Sequence, residues 1–192
     1  MTADPSNEKR ALRAELRERR RNLTTLERDS ATAAFTGHLI ELTTSLGARS
    51  VSAYLPNSDE PNIRPYINWA LEQGLRVLLP ISRDDGLLDW VVADGEHETE
   101  GPFGWPEPVG ELLGPIAIND VDLIIVPAAS VDRSGMRMGW GRGYIDRTIG
   151  SMEQCPPVYA VVFDNEFLEA VPTELHDKPV NGVVTPSGVV SF

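Results

Sequence analysis

Cysteine occurs once in this chain, as Cys155, so no internal disulfide can staple the fold. The residue precedes Pro156 and Pro157, no activating partner for a nucleophilic thiol is apparent beside it, and a partly buried, inert thiol is expected. Histidine is nearly as scarce. Of the three, His38 falls on the apolar face of a helix and reads as a core-edge residue, and His97 lies in a polar loop. His176 adjoins Asp177 but has no partner at a zinc-binding spacing such as H-E-x-x-H, which argues against a transition-metal site. No apolar run approaches the length that spans a bilayer, and the first residues are polar and charged, unlike a secretory leader. A soluble, cytoplasmic protein with no membrane partner is the expectation. Positive charge is also in deficit, with a formal net charge of −12. Non-specific affinity for nucleic acid comes mostly from basic charge, so the balance argues against nucleic acid as the main partner, including through the basic first helix. No repeat, low-complexity tail or domain boundary interrupts the chain, and its 192 residues read as one domain over 1–192.

Against these absences stands one dense motif, Arg137-Met138-Gly139-Trp140-Gly141-Arg142-Gly143-Tyr144-Ile145-Asp146-Arg147. Glycines at every second position let several backbone N–H groups converge on one anion. Arg137 and Arg142 supply charge, and Asp146 supplies a ligand suited to Mg²⁺ or, equally, a cap for the turn. The spacing matches neither the Walker loop nor the dinucleotide fingerprint. Just upstream, Val121-Asp122-Leu123-Ile124-Ile125-Val126 is a nearly continuous apolar stretch ending in Pro127, as expected of a strand buried on both faces of a parallel sheet. A strand, a glycine loop and a helix beginning near Gly143 place the loop where ligands gather in open α/β sheets.

The remaining pattern alternates helix and strand. Thr24-Thr25-Leu26-Glu27 is a capping box opening a helix whose apolar positions are Ala31, Ala34, Phe35, Leu39, Leu42 and Leu46, with Gly47 as its stop. Residues 51–55 read as a strand, 61–73 as a helix with Ile63, Ile67, Ala70 and Leu71 inward, and 75–79 as the next strand, a βαβ unit. Further strands are expected at 87–92 and 158–163, separated by a Pro/Gly-rich connector at 101–114. The fold class is α/β: an open, mainly parallel sheet with helices on both faces, a Rossmann-like three-layer arrangement with an amino-terminal helical pair. In the first helix Lys9, Arg13, Arg17 and Arg20 share one face, while Ala11, Leu12, Leu16 and Leu23 can turn toward the body. Such a basic face is ordinarily solvated surface, and phosphate binding is the functional alternative.

Asp132-x-x-Gly135-x-Arg137-x-Gly139-x-Gly141-x-Gly143-Tyr144-x-Asp146 resembles the signature of the 5-formyltetrahydrofolate cyclo-ligase family. Lys9-x-x-x-Arg13, Tyr54-Leu55 with Glu60, Phe103-Gly104-Trp105-Pro106-Glu107-Pro108, and the segment from Val171-Pro172 to His176-Asp177 resemble other family elements in order and approximate spacing. The likeness spans about residues 9–185. Where the family usually carries a second aromatic after Tyr144 this chain has Ile145, and Trp140 replaces a residue that is often small or basic.

The resemblance implies ATP as co-substrate, Mg²⁺, and 5-formyltetrahydrofolate as substrate of a monomeric enzyme. It assigns ATP to Lys9, Arg10, Ala11, Leu12 and Arg13, and to Arg137, Met138, Gly139, Trp140, Gly141, Arg142, Gly143, Tyr144 and Ile145. Folate falls to Tyr54, Leu55, Glu60, Phe103, Trp105, Trp140, Gly141, Arg142, Gly143 and Tyr144, catalysis to Arg137, Arg142 and Tyr144, and metal to Asp146 and Asp177. Read without the resemblance, Phe103 and Trp105 are either plugs of a proline-rich turn or one wall of an aromatic ligand's pocket, and Tyr54 can simply pack. The competing reading is a nucleotide- or folate-binding regulatory module without turnover, which Ile145 and Trp140 favour.

Overall fold

In the structure, a computed structural model that describes residues 3–192, helix α1 (Pro5–Arg21) starts where the Asp4 side chain accepts from the Ser6 N–H and proline occupies the first turn. Helix α2 (Thr25–Ser45) opens with the capping box read from the sequence: the Glu27 N–H donates to Thr24 Oγ1, and the Thr24 N–H to the Glu27 carboxylate. Strand β1 (Ser50–Ser52), helix α3 (Arg64–Glu72) and strand β2 (Arg76–Ser82) form the βαβ unit, with Val51 opposite Val77 in parallel register. The strand is shorter than expected: regular pairing ends at Ser52, and residues 53–55 leave the sheet toward the site. Similarly, α3 begins at Arg64 and not at residue 61.

Strand β3 (Leu88–Val92) returns antiparallel beside β2. The connector at 101–114 is more ordered than its composition suggests: β4 (Glu98–Glu100) pairs with β5 (Pro106–Pro108), and β6 (Leu112–Leu113) joins the edge of β3. Strand β7 (Leu123–Pro127) follows, then a small hairpin of β8 (Ser130–Asp132) and β9 (Arg137–Met138), and helix α4 (Tyr144–Gly150). Strand β10 (Val158–Val161), strand β11 (Phe167–Leu168) beside β8, and a terminal hairpin of β12 (Gly182–Thr185) and β13 (Gly188–Ser191) complete the chain.

The main sheet has eight strands in the order β13-β12-β10-β7-β1-β2-β3-β6, and β12, β10, β7, β1 and β2 run parallel. Because strand side chains alternate, each central strand feeds two cores. Val77, Leu79, Leu123 and Ile125 face α2 and α3 with Phe35, Leu39 and Tyr66; Leu78, Ile124, Val126 and Ala160 face the other layer, where Ile145 and Ile149 of α4 pack. Burying each such large aliphatic or aromatic side chain contributes about 1.5–3 kcal/mol. The three-layer expectation therefore holds. Three local readings do not: Leu46 and Ala11 are exposed, and Cys155 is exposed where partial burial was expected. No helix among the described residues is long and apolar enough to cross a membrane.

From β1 the chain moves outward through β2 on one side, while β7, β10 and β12 build the other. The strand order thus reverses between β1 and β7, and a crevice opens at their carboxyl ends. The loops after both strands carry the candidate site.

Candidate active site

The glycine run lies beyond the carboxyl end of β7, presented by the β8–β9 hairpin. Arg137 is buried in β9, where its Nε donates to the Pro127 carbonyl at 2.8 Å. Two of the three glycines are required by backbone conformation, for Gly141 and Gly143 have φ of 104° and 74°. Gly139 differs: its φ is not positive, but a Cβ there would lie 2.9 Å from Nη1 of Arg137 and make the guanidinium shift. From Trp140 to Asp146 no backbone N–H finds an acceptor among the described residues. A succession of unpaired amides in a glycine-rich bend is an anion-binding arrangement.

The run opens into a cleft of about 1140 Å³ lined by Lys9, Arg13, Arg17 and Arg20 of α1, by Tyr54, Leu55 and Glu60 after β1, by Trp105, and by Arg137, Asp146 and Asp177. Part of the basic face of α1 is therefore turned inward, with Lys9 and Arg20 buried and Arg13 half-buried, while Arg17 stays exposed. Lys9 and Arg20 are 3% and 2% exposed, and they share the buried stripe with Leu16. Arg13 donates from Nε to the Gly139 carbonyl at 2.8 Å, which ties α1 to the glycine run. Burial pushes Arg137 down to about 10 and lowers Arg13 as well, although nearby carboxylates partly restore both. Burial likewise lifts the Glu60 carboxyl above its ordinary range, with one oxygen accepting from the Asn57 N–H. These are desolvated cations facing an open cleft, an environment that an anion would relieve.

The acids are not free. Lys9 Nζ lies 2.6 Å from both Glu174 Oε2 and Asp177 Oδ2. Burial alone would lower the Lys9 ammonium, yet these two hydrogen bonds and charges hold it above its usual value. His176 stands at 3.4 Å from Asp177 Oδ1, and ligand atoms of Glu174, His176 and Asp177 lie within 4.8 Å of one another. Asp146 accepts from the Lys178 N–H at 3.1 Å, a bond that fixes the loop carrying Asp177 against the start of α4. Carboxylate oxygens are the donor set that Mg²⁺ takes. The cluster that offers such oxygens is Glu174 and Asp177 with His176, Lys9 already compensates Asp177, and Asp146 is not part of it.

The remaining sequence-derived candidates separate into two groups. Tyr54, Leu55, Glu60, Trp105, Trp140, Gly141, Gly143, Tyr144 and Ile145 line the cleft, and the Tyr54 hydroxyl donates to the Pro61 carbonyl. Arg10, Ala11, Leu12, Met138 and Phe103 do not line it: Arg10 and Ala11 face solvent, and Leu12 and Met138 pack with Leu16 in a small core. Phe103 sits behind Trp105, ring centroids 5.0 Å apart, with the Arg142 guanidinium 3.6 Å above it. Arg142 is thus held by an aromatic face, while Ile145 packs into the core beneath α4.

Sequence reading missed the buried pair of Arg20 and Glu166, joined at 2.7 and 2.9 Å, with a further bond from Arg20 to the Ala128 carbonyl. The guanidiniums of Arg20 and Arg17 lie 4.9 and 5.1 Å from the Trp140 ring. Trp140, the unusual member of the run, is thereby anchored to α1. Only the placement of Arg20 on the Lys9 face hinted at this.

A model of the 5-formyltetrahydrofolate cyclo-ligase family matches residues 5–186. The 5-formyltetrahydrofolate cyclo-ligase of Mycolicibacterium smegmatis is 37% identical over 190 residues, covering 96% of this chain and 97% of that one. Its counterpart from Haemophilus influenzae is 26% identical, covering 91% and 96%. Among solved structures, the Aquifex aeolicus 5,10-methenyltetrahydrofolate synthetase superposes with a TM-score of 0.80 at 28% identity, covering 95% and 92% of the two chains. The Mycoplasma pneumoniae 5,10-methenyltetrahydrofolate synthetase shares the fold with a TM-score of 0.74 at 17% identity, over 92% and 97%.

Proposed function

The chain belongs to the 5-formyltetrahydrofolate cyclo-ligase family, and from that premise we propose that it is a cytoplasmic, monomeric, single-domain enzyme closing 5-formyltetrahydrofolate to 5,10-methenyltetrahydrofolate with conversion of ATP to ADP and phosphate. The observation that carries this reading is the unpaired amide run beside buried Arg137, opening on a cleft that Tyr54, Leu55 and Trp105 also line. One end suits a polyphosphate and the other a flat heterocycle.

The chemistry requires that the N5-formyl oxygen become a leaving group, because oxide itself is a poor one. Transfer of the γ-phosphoryl to that oxygen does this. N10 then attacks the formyl carbon, the carbon–oxygen bond breaks, phosphate departs, and the N10 proton passes to solvent. No protein nucleophile is needed, so catalysis rests on alignment and charge neutralisation.

In this reading the backbone of residues 139–146 cradles the phosphates, and Arg137 and Arg13, both beside Gly139, face the transferring group. Lys9 shifts from its acids toward the nucleotide. Arg142 and Tyr144 shape the mouth of the run, and Tyr54, Leu55, Glu60 and Trp105 receive the pterin. Asp146 and Asp177 would hold Mg²⁺, which when bound neutralises charge on the phosphate oxygens. The test is incubation with 5-formyltetrahydrofolate, ATP and Mg²⁺ while following methenyl absorbance. Absorbance growth that requires all three is expected. ATP binding without turnover would instead support the regulatory-module reading.

A further inference from the structure

We propose that Arg147 is a positioning residue that braces the glycine run against the β2–β3 hairpin and so sets the direction of the Gly143 amide; this rests on the phosphate-cradle reading above. Arg147 stands in the last turn of the short helix α4. Its Nη1 donates to the Arg142 carbonyl at 2.9 Å and to the Gly86 carbonyl at 3.2 Å. The guanidinium therefore spans two segments, one inside the run and one at the tip of the hairpin.

The backbone is shaped around this group on both sides. Gly86 has φ of 84°, and a Cβ there would lie 2.7 Å from Nη1 of Arg147. Gly143 has φ of 74°, and its Cβ would come within 3.3 Å of Nη2. The hairpin end carries its own ion pairs and turn bond. Arg83 grips Asp85 and Asp89, and the Leu87 N–H donates to Asp85. A second tie runs parallel to the first, from the Tyr144 hydroxyl to the Arg83 carbonyl at 3.2 Å.

Peptide planarity converts this brace into amide direction. In a trans peptide unit the carbonyl of Arg142 and the N–H of Gly143 point oppositely, and no cis peptide occurs among the described residues. Holding the Arg142 carbonyl on Arg147 therefore aims the Gly143 N–H the other way, where it has no protein acceptor. Arg13 does the same for the peptide after Gly139, since it holds that carbonyl. Two arginines, one from α1 and one from α4, thus fix two peptide planes of the run by their carbonyls.

A lysine at position 147 keeps the charge, but its ammonium ends one bond short of the Nη1 that donates to both carbonyls. The experiment is calorimetric ATP titration, with melting temperature and folate affinity alongside, for wild type, R147K, R147Q, G86A and the G86A/R147Q double variant. We expect R147K and R147Q each to weaken ATP by about fivefold or more, from loss of the charge-assisted brace on the two carbonyls at an exposed site, with folate affinity and melting temperature nearly unchanged. G86A should weaken ATP because its methyl displaces the guanidinium, and the double variant should be no worse than the weaker single one. Wild-type affinity in R147K with loss in R147Q would show that charge alone acts, and additive penalties would show that Gly86 and Arg147 are independent; either overturns the proposal. Failure of wild type to bind ATP would overturn the cradle reading itself, before any variant is considered.

Discussion

Replacing Arg137 by methionine should separate binding from stability with opposite signs. The side chain is buried, its charge is desolvated, and its only hydrogen bond among the described residues runs from Nε to the Pro127 carbonyl. Burial depresses its pKa from 12.5 to about 10. That net displacement, in which nearby carboxylates partly offset burial, corresponds to a cost on the order of 3 kcal/mol for the charged form. Methionine of similar length removes that cost, and leaves Pro127 without a donor, a penalty of about 1–3 kcal/mol. The two nearly cancel. Melting temperature without ligands should therefore stay within a few degrees of wild type. ATP, in contrast, loses charge-assisted hydrogen bonds worth about 1.5–3 kcal/mol, or roughly tenfold to a hundredfold in kcat/KM. Steady-state kinetics at varied ATP, with calorimetric melting of the same preparation, checks both halves. Kinetics within twofold of wild type would remove Arg137 from the phosphate site. A melting point lower by tens of degrees would show that the cation is structural.

Gly139→Ala should lower ATP efficiency severalfold without changing the melting point, because its methyl strikes the Arg137 guanidinium while φ needs no left-handed conformation; in an Arg137→Met background the further loss should vanish, as kinetics on the double variant would reveal. Glu60→Gln tests a raised carboxyl. The folded state binds the proton more tightly than the unfolded one, so stability falls as pH rises from the unfolded value through the raised folded one. The variant should escape that fall and melt above wild type at neutral pH, with no such gain at acid pH; equal melting curves at both would refute burial as the cause. Asp146→Asn can keep the bond from the Lys178 N–H, so its apo melting point should hold while the Mg²⁺ giving half-maximal rate rises about tenfold or more. An unchanged Mg²⁺ requirement would leave Asp146 a loop fastener. Arg20→Met strands the buried Glu166 carboxylate and should cost about 3–5 kcal/mol, a melting shift of roughly 10 °C, which Glu166→Leu in the same chain should largely restore.

What the sequence determined by itself is what short-range physics encodes. The Thr24 to Glu27 box and the apolar run from Leu123 to Val126 each specify conformation through neighbours a few residues away and appear as read, and of the alternating glycines Gly141 and Gly143 take a φ that glycine alone readily permits. The three-layer architecture follows from them, because strands buried on both faces need helices on both sides. Tertiary structure decided how the charges are used. Periodicity could place Lys9, Arg13 and Arg20 on one helix face, but whether that face meets water or the interior depends on Glu174, Asp177 and Glu166, far along the chain. A buried cation is tolerated only where distant acids and carbonyls converge on it, and no local spacing announces them. Likewise the Arg142 side chain, read as a phosphate partner, lies on Phe103, while its carbonyl is held by Arg147, which sequence reading left unassigned. Gly139 looked like its neighbours, yet it is small for the sake of the Arg137 guanidinium, whereas Gly141 and Gly143 answer to their own φ. The motif was legible because its chemistry is local; the roles within it were not, because each is set by a partner that only the fold brings within reach.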